Sequence, residues 1–259
     1  MTNRLEGTKA VITGGAGAIG LATARTFLRQ GASVHIADLD GSATERCVAE
    51  LNNYGKISGS SCDVSSPRNV EVLMRTAADA MGGISALINN AGTNKRGPLN
   101  AINEEDIDRM LAINVKGVML CTQAAIPHLR RSENSSVTST SSQAGKRGWA
   151  EISVYCATKA AVIGFSRAMA IELAPKIRVN TIAPGHIIGE GMAWEGWSER
   201  TTPGQTTEEF GFDFANNYIP LRRGQTTKDI ADGFVYLTSS EAKEITGISL
   251  TIGGGVTMD

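Results

Sequence analysis

Tyr155 and Lys159 stand four residues apart in Tyr-Cys-Ala-Thr-Lys, at the start of a segment with helical period. Residues at that spacing share one helix face, with Cβ atoms about 5–6 Å apart. Taking hydride from an alcohol carbon requires a base for the hydroxyl proton, and an ordinary tyrosine, with a pKa of about 10, is a weak one near neutrality. A neighbouring ammonium favours the tyrosinate. Lowering the phenol by two to three units corresponds to about 3–4 kcal/mol, which Lys159 and a nicotinamide cation could supply together. Ser142, thirteen residues before Tyr155, adds a hydroxyl able to orient and polarise a substrate oxygen. By itself a Tyr and a Lys one turn apart is more often a solvated helix face, so the setting decides.

Part of that setting is a glycine-rich turn near the amino terminus. Val11-Ile12-Thr13-Gly14-Gly15-Ala16-Gly17-Ala18-Ile19-Gly20 leaves a strand-like run and opens a helical one. Glycines there let the backbone turn tightly, approach a pyrophosphate and offer helix N-terminal amides to negative charge. Asp38 ends the next strand-like run about twenty residues on, where a carboxylate meets the ribose hydroxyls of an adenosine. The same carboxylate would repel a 2′-phosphate, and neither Leu39 nor the Ala16-Gly17 segment brings a compensating Arg or Lys. NAD is therefore expected over NADP. The competing reading makes Asp38 a turn or cap residue before Asp40-Gly41.

These residues need a scaffold, and the sequence supplies one. Short β-branched runs near Lys9–Thr13, Ser33–Ala37, Ile57–Ser61, Ala86–Asn89, Val137–Thr140, Ile177–Ile182 and Ser249–Ile252 read as seven strands. Between them, segments near Ala18–Gln30, Ser42–Tyr54, Pro67–Met81, Glu104–Arg130, Ser153–Leu173 and Lys228–Thr238 carry apolar residues at three and four spacing. The alternation predicts an α/β fold, a Rossmann-like doubly wound parallel sheet with helices on both faces in a single domain, residues 1–259. The stretch 186–223, rich in Gly and Pro, reads as a long loop with one short helix, of the kind that serves as a substrate lid.

Composition bounds the partners. Twenty-five Lys and Arg against 26 Asp and Glu leave a net charge of −1, without the positive field that phosphate-backbone binding needs, so no nucleic acid is expected. No segment reads as a signal peptide and no run reaches the uninterrupted apolar length of a membrane span. A cytoplasmic location is expected. Cys47, Cys62, Cys121 and Cys156 are too scattered for a C-x-x-C metal or redox motif, so no metal site is expected and packing roles are.

Thr13-Gly14 with Gly20, Asn89-Asn90-Ala91-Gly92, Asn114 in Asn-Val-Lys-Gly, Ser142, Tyr155-x-x-x-Lys159 and Pro184-Gly185 follow one another at characteristic spacings. This chain resembles the short-chain dehydrogenase/reductase family over its whole length. The resemblance implies that Tyr155 is the general acid/base and that Lys159 lowers its pKa and holds the nicotinamide ribose. It implies that Ser142 polarises the substrate oxygen, and that Asn114 kinks a helix and links Lys159 to a relay water. It assigns Gly14, Gly17, Ala18, Ile19 and Gly20 to the pyrophosphate turn, and Asp38 and Leu39 to the adenosine ribose. It assigns Asp63 and Val64 to adenine, Asn90, Ala91 and Gly92 to the segment beside the adenosine ribose, and Pro184, Gly185 and Ile187 to the nicotinamide. Three positions depart from the pattern. Ala18 replaces the middle glycine of the turn, Gly189 a threonine, and Gly253 an aspartate.

The motif detail around residues 141–148, 154–163 and 183–196 is most similar to bacterial sorbitol and related polyol dehydrogenases. Gln143 and Glu190 could pair hydroxyls while the Trp194 indole covers a carbon face. Their competing roles are loop, solvated surface and lid packing. A small ketone or diol such as acetoin, or a 3-oxoacyl thioester, is the alternative substrate, and a catalytically silent nucleotide-sensing scaffold the alternative of another class. The resemblance also implies a homotetramer, with the helices bearing Asn114 and Tyr155 as dimer faces.

Overall fold

A computed structural model describes residues 3–190 and 200–258. Strands β1 (Lys9–Thr13), β2 (Ser33–Asp38), β3 (Ile57–Ser61), β4 (Ala86–Asn89), β5 (Ser135–Thr140), β6 (Ile177–Pro184) and β7 (Ser249–Ile252) form one sheet in the order β3-β2-β1-β4-β5-β6-β7. Every neighbouring pair is parallel. Helices α1 (Ala18–Arg29), α2 (Gly41–Leu51), α3 (Pro67–Met81), α4 (Glu104–Leu111), α5 (Gly117–Leu129), α6 (Ser153–Leu173), α7 (Thr207–Tyr218) and α8 (Thr227–Thr238) connect and flank it. The seven expected strands and the doubly wound parallel architecture are all present.

The two faces of the sheet can be followed residue by residue along β1. Val11 packs into a cluster with Leu73 and Met74 of α3 and Leu129 of α5. Its neighbours Ala10 and Ile12 point the other way, into a cluster with Phe27 of α1 and Phe234 of α8. Period-two alternation in a strand covered on both faces thus feeds two cores from one apolar run. Phe27 and Phe234 are fully buried, each contributing roughly 1.5–3 kcal/mol of apolar transfer free energy. Cys47, Cys62 and Cys121 are buried and Cys156 half-buried, all free thiols, and burial pushes Cys62 up to about 11.

Two findings concern helices. The segment 186–223, expected as a loop with one short helix, contains the twelve-residue α7, started by a capping box in which the Thr206 hydroxyl accepts from the Glu209 amide and the Glu209 carboxylate accepts from the Thr206 amide. That Thr-x-x-Glu signal outweighs the surrounding glycines. In addition, the helical runs Glu104–Leu129 and Ser153–Leu173 are long and apolar enough to cross a membrane by length and composition, which the sequence reading did not anticipate. Both lie against the sheet, and their uncovered residues include the exposed Met119 and Ile171.

Candidate active site

Where β1 pairs with both β2 and β4, successive crossovers leave in opposite directions, and a crevice opens at the carboxyl ends of the strands. There the structure has a cavity of about 770 Å³. It is lined from β1 and α1 by Gly14, Gly17, Ala18 and Ile19, from the end of β2 by Asp38 and Leu39, and after β3 by Asp63 and Val64. Asn90, Ala91 and Gly92 line it after β4, Ser142 and Gln143 after β5, Tyr155 and Lys159 from α6, and Pro184, Gly185, Ile187 and Glu190 after β6. Residues scattered over most of the sequence thus share one wall because parallel strands end on one side.

The turn after β1 is shaped by close backbone approaches. Gly14 has a positive φ of 63°, and a Cβ there would lie 2.8 Å from the Ala91 Cα. A Cβ on Gly20 would lie 2.1 Å from the Gly14 carbonyl oxygen, so Gly20 lets α1 close onto the turn without itself lining the cavity. Gly17 is different: a Cβ there would meet nothing nearer than 3.5 Å, leaving the helix N-terminus open to the cavity. No side chain caps that terminus and its first turn carries no acidic residue. Open, uncapped amides beside glycines suit a pyrophosphate, so the residues present fit a nicotinamide dinucleotide. Ala18 in place of glycine leaves this cradle open.

Asp38 accepts a hydrogen bond from the Ala16 amide at 3.1 Å through Oδ2 and lines the cavity. The cap of α2 is Asp40, whose Oδ1 accepts from the Ala43 amide at 2.9 Å. The helix cap is thus Asp40, while Asp38 Oδ1 also accepts from the Asp40 amide at 3.4 Å, so Asp38 both organises this turn and lines the cavity.

Around the catalytic candidates, side chains are held by main chain. Lys159 is 4% exposed, and its Nζ donates to the Thr140 carbonyl at 2.8 Å. It lies 5.5 Å from the centroid of the Tyr155 ring. Ser141 Oγ donates to the Lys159 carbonyl at 2.9 Å, which ties the turn carrying Ser142 to α6. Asn114 is fully buried in a π-helical turn, Ala112–Lys116, that interrupts the run between α4 and α5. Its Oδ1 accepts from the Thr93 amide at 2.8 Å, and its Nδ2 donates to the Thr93 carbonyl at 2.8 Å and to Thr158 Oγ1 at 3.1 Å. Asn114 does not line the cavity; it fixes the chain after β4 against α6, next to the lysine.

The electrostatics of the chain alone run opposite to the expected lowering of the tyrosine. Burial pushes the Tyr155 phenol up to about 12, and a hydrogen bond from Ser142 opposes this only in part. Burial likewise lowers Lys159 to about 8. An ammonium committed to a carbonyl, over 5 Å from the ring centre, does not offset two desolvation penalties. The protein supplies the geometry, and stabilising a tyrosinate requires further positive charge in the cavity.

On the substrate side, Gln143 is buried and its Oε1 has no partner among the described residues. Glu190 lines the cavity, yet its Oε1 accepts from the Thr227 hydroxyl at 2.6 Å and the Thr227 amide at 3.2 Å. It anchors the segment after β6 to the start of α8, a role neither reading of the sequence had considered. Trp194 lies outside the described residues. Gly189 has a φ of 91°, a conformation that disfavours the threonine of the family pattern. A Cβ on Gly253 would lie 3.6 Å from Gln143 Oε1, so an aspartate there would reach toward that amide.

Other residues of the wall escaped the sequence reading. Asn94 and Trp149 line the cavity, and both Asn94 Oδ1 and Trp149 Nε1 are buried without a partner among the described residues. Asn94 lies two residues beyond the Asn-Asn-Ala-Gly segment and Trp149 six before Tyr155, so proximity to recognised motifs was the available signal. His186 packs edge-on against Trp149 at 5.5 Å and Phe214 of α7 at 4.7 Å, making an aromatic wall.

A cradle for a dinucleotide running into a buried Lys and a half-buried Tyr and Ser defines a nicotinamide-dependent oxidoreductase. Residues 8–199 match the family model for short chain dehydrogenases, and the chain belongs to the short-chain dehydrogenase/reductase family. It is 31% identical to 2-(S)-hydroxypropyl-CoM dehydrogenase 3 of Xanthobacter autotrophicus over 99% of both chains. It is 33% identical to sorbitol dehydrogenase of Cereibacter sphaeroides over 97% of this chain and 98% of that one. A solved short-chain dehydrogenase/reductase described as a glucose/ribitol dehydrogenase, from Brucella melitensis, superposes with a TM-score of 0.87 at 31% identity, covering all of both chains.

Proposed function

We propose that the protein is an NAD(H)-dependent dehydrogenase that interconverts a secondary alcohol of a polyol or sugar alcohol with its ketone, using Ser142, Tyr155, Lys159 and Asn114. The observation that carries this reading is the set of polar atoms, unpartnered among the described residues, that line the cavity with the catalytic candidates: Gln143 Oε1, Asn94 Oδ1 and Trp149 Nε1. Leaving a buried polar group unpaired costs about 1–3 kcal/mol. Neighbouring hydroxyls of a polyol can donate to the two amide oxygens and accept from the indole. The similarity to a sorbitol dehydrogenase points the same way. Asp38, which lines the cavity with neither Arg nor Lys at Leu39 or in Ala16-Gly17, favours NAD.

A nicotinamide held in this cavity would supply the hydride acceptor, and its oxidised ring would add positive charge to the cavity that Tyr155 lines. In oxidation the Tyr155 phenolate oxygen takes the hydroxyl proton; in reduction it returns it. Ser142 Oγ hydrogen-bonds the same substrate oxygen and fixes which carbon reacts. Lys159, oriented by the Thr140 carbonyl, stabilises charge on the phenol. The segment 186–223 serves as the lid, with Phe214 contributing its inner wall. The uncovered apolar residues of Glu104–Leu129 and Ser153–Leu173 suit contacts between copies, and we read the assembly as a homotetramer.

Initial rates over a panel of hexitols, diols and hydroxy acids, each with NAD and with NADP, test the reading. Sugar alcohols with NAD are expected to give the highest kcat/KM among the uncharged compounds. Turnover confined to simple monohydric alcohols would refute the polyol assignment.

A further inference from the structure

The catalytic end of the cavity carries positive charge that neither the fold nor the polyol reading uses. Arg96 lines it but is committed, since its guanidinium pairs with the Glu151 carboxylate at 2.6 Å. Arg200 also lines it, and among the described residues no carboxylate lies within ion-pair distance of it. Its guanidinium rests 5.5 Å over the Phe210 ring and is otherwise exposed. Arg109, in the last turn of α4, lines the cavity as well and adds charge of the same sign.

Arg200 is not remote from the chemistry. Its positive charge adds to burial in holding the His186 imidazole down at about 4, so the two groups share one field. His186 directly follows Pro184-Gly185 at the end of β6 and forms the aromatic wall with Trp149 and Phe214. Glu190, the acidic side chain lining this end of the cavity, spends an oxygen on Thr227. A guanidinium with no carboxylate partner among the described residues, lining a partly apolar cavity with a planar fork of donors, is complementary to an oxyanion.

We propose that the alcohol oxidised here carries a terminal anionic group, a carboxylate, phosphate or sulfonate, which Arg200 binds while the reacting carbinol lies at Ser142 and Tyr155. The proposal rests on the alcohol-dehydrogenase reading above. It narrows the substrate from a neutral polyol to a hydroxylated anion.

The test compares sorbitol with gluconate, a hexitol phosphate and a hydroxyalkylsulfonate, for the wild type, Arg200→Met and Arg200→Lys. Two readouts are taken: kcat/KM with NAD, and equilibrium binding to the NADH-loaded protein by fluorescence, which needs no turnover. At least one anion should exceed sorbitol by about tenfold or more in both readouts, the scale of a charge-assisted hydrogen bond. The arm that wins identifies the anion. Arg200→Met should collapse that ratio, Arg200→Lys should keep part of it, and added salt should shrink it. If sorbitol is oxidised and no anion is preferred, or if the preference survives in Arg200→Met, the proposal is wrong and the polyol reading stands. If anions bind through Arg200 but no alcohol is oxidised, the anion site stands and the dehydrogenase reading falls. If nothing binds or reacts, both fall.

Discussion

Replacing Tyr155 by Phe is expected to lower kcat for alcohol oxidation by roughly three orders of magnitude while leaving NADH affinity within about twofold. The substitution removes one oxygen from a half-buried ring and leaves the packing of α6 against the sheet in place. Phenylalanine fills nearly the same space, and the hydrogen bonds that hold Lys159 and Asn114 run to Thr140, Thr93 and Thr158, not to the phenol. What disappears is the group that exchanges the proton with the substrate hydroxyl. Steady-state kinetics together with NADH titration check this. A protein that only senses nucleotide would show no change in either measurement, so the variant also separates an enzyme from a silent scaffold.

Asp38→Ala is expected to shift the ratio of kcat/KM for NAD over NADP by about two orders of magnitude toward NADP. Two unit charges about 4 Å apart interact by about 4 kcal/mol at an effective dielectric of 20, and a phosphate carries more than one charge. Exposure and salt reduce that figure, which leaves roughly 100-fold. Part of the change comes from weaker NAD binding, because the ribose hydroxyls lose their acceptor. The variant also gives up the bond from the Ala16 amide, so a modest loss of thermal stability accompanies the switch. An unchanged ratio would mean that Asp38 organises the turn and does not read the ribose.

Sheet and helices were legible because a parallel sheet covered on both faces writes its strands as β-branched runs and its helices as periodic ones. Each of the seven observed strands falls within two residues of its expected bounds. What the sequence obscured has physical causes. One short helix was expected in 186–223, but glycine and proline there hid its place and its twelve-residue length, although the Thr206-x-x-Glu209 box was readable. A kink at Asn114 was implied by the resemblance alone, and the π-turn at Ala112–Lys116 that realises it has no local signature in the sequence. Glu190 looked like a substrate ligand by position, and only the folded chain brings Thr227 within 2.6 Å of it. Most of the cofactor cradle was visible as motifs, while Asn94, Trp149 and Arg200 reach the cavity from loops whose course no periodicity encodes. The tyrosine's protonation was the hardest to foresee, because spacing fixes the ammonium's distance but burial decides the cost of charge.

That cost makes the pH dependence of alcohol oxidation the most direct test. The productive form has Tyr155 ionised and Lys159 protonated, whereas burial drives the phenol up to about 12 and the ammonium down to about 8. At low pH the phenol keeps its proton and the rate is small. As pH rises, one proton leaves the pair, and kcat/KM for oxidation should climb until a break at or below about 8, set by the pair together and brought down by any added positive charge. Ketone reduction, which needs that proton, should fall over the same range. Oxidation that slows as pH rises through this range, or a profile unchanged in Tyr155→Phe, would contradict proton exchange by the Tyr155–Lys159 pair.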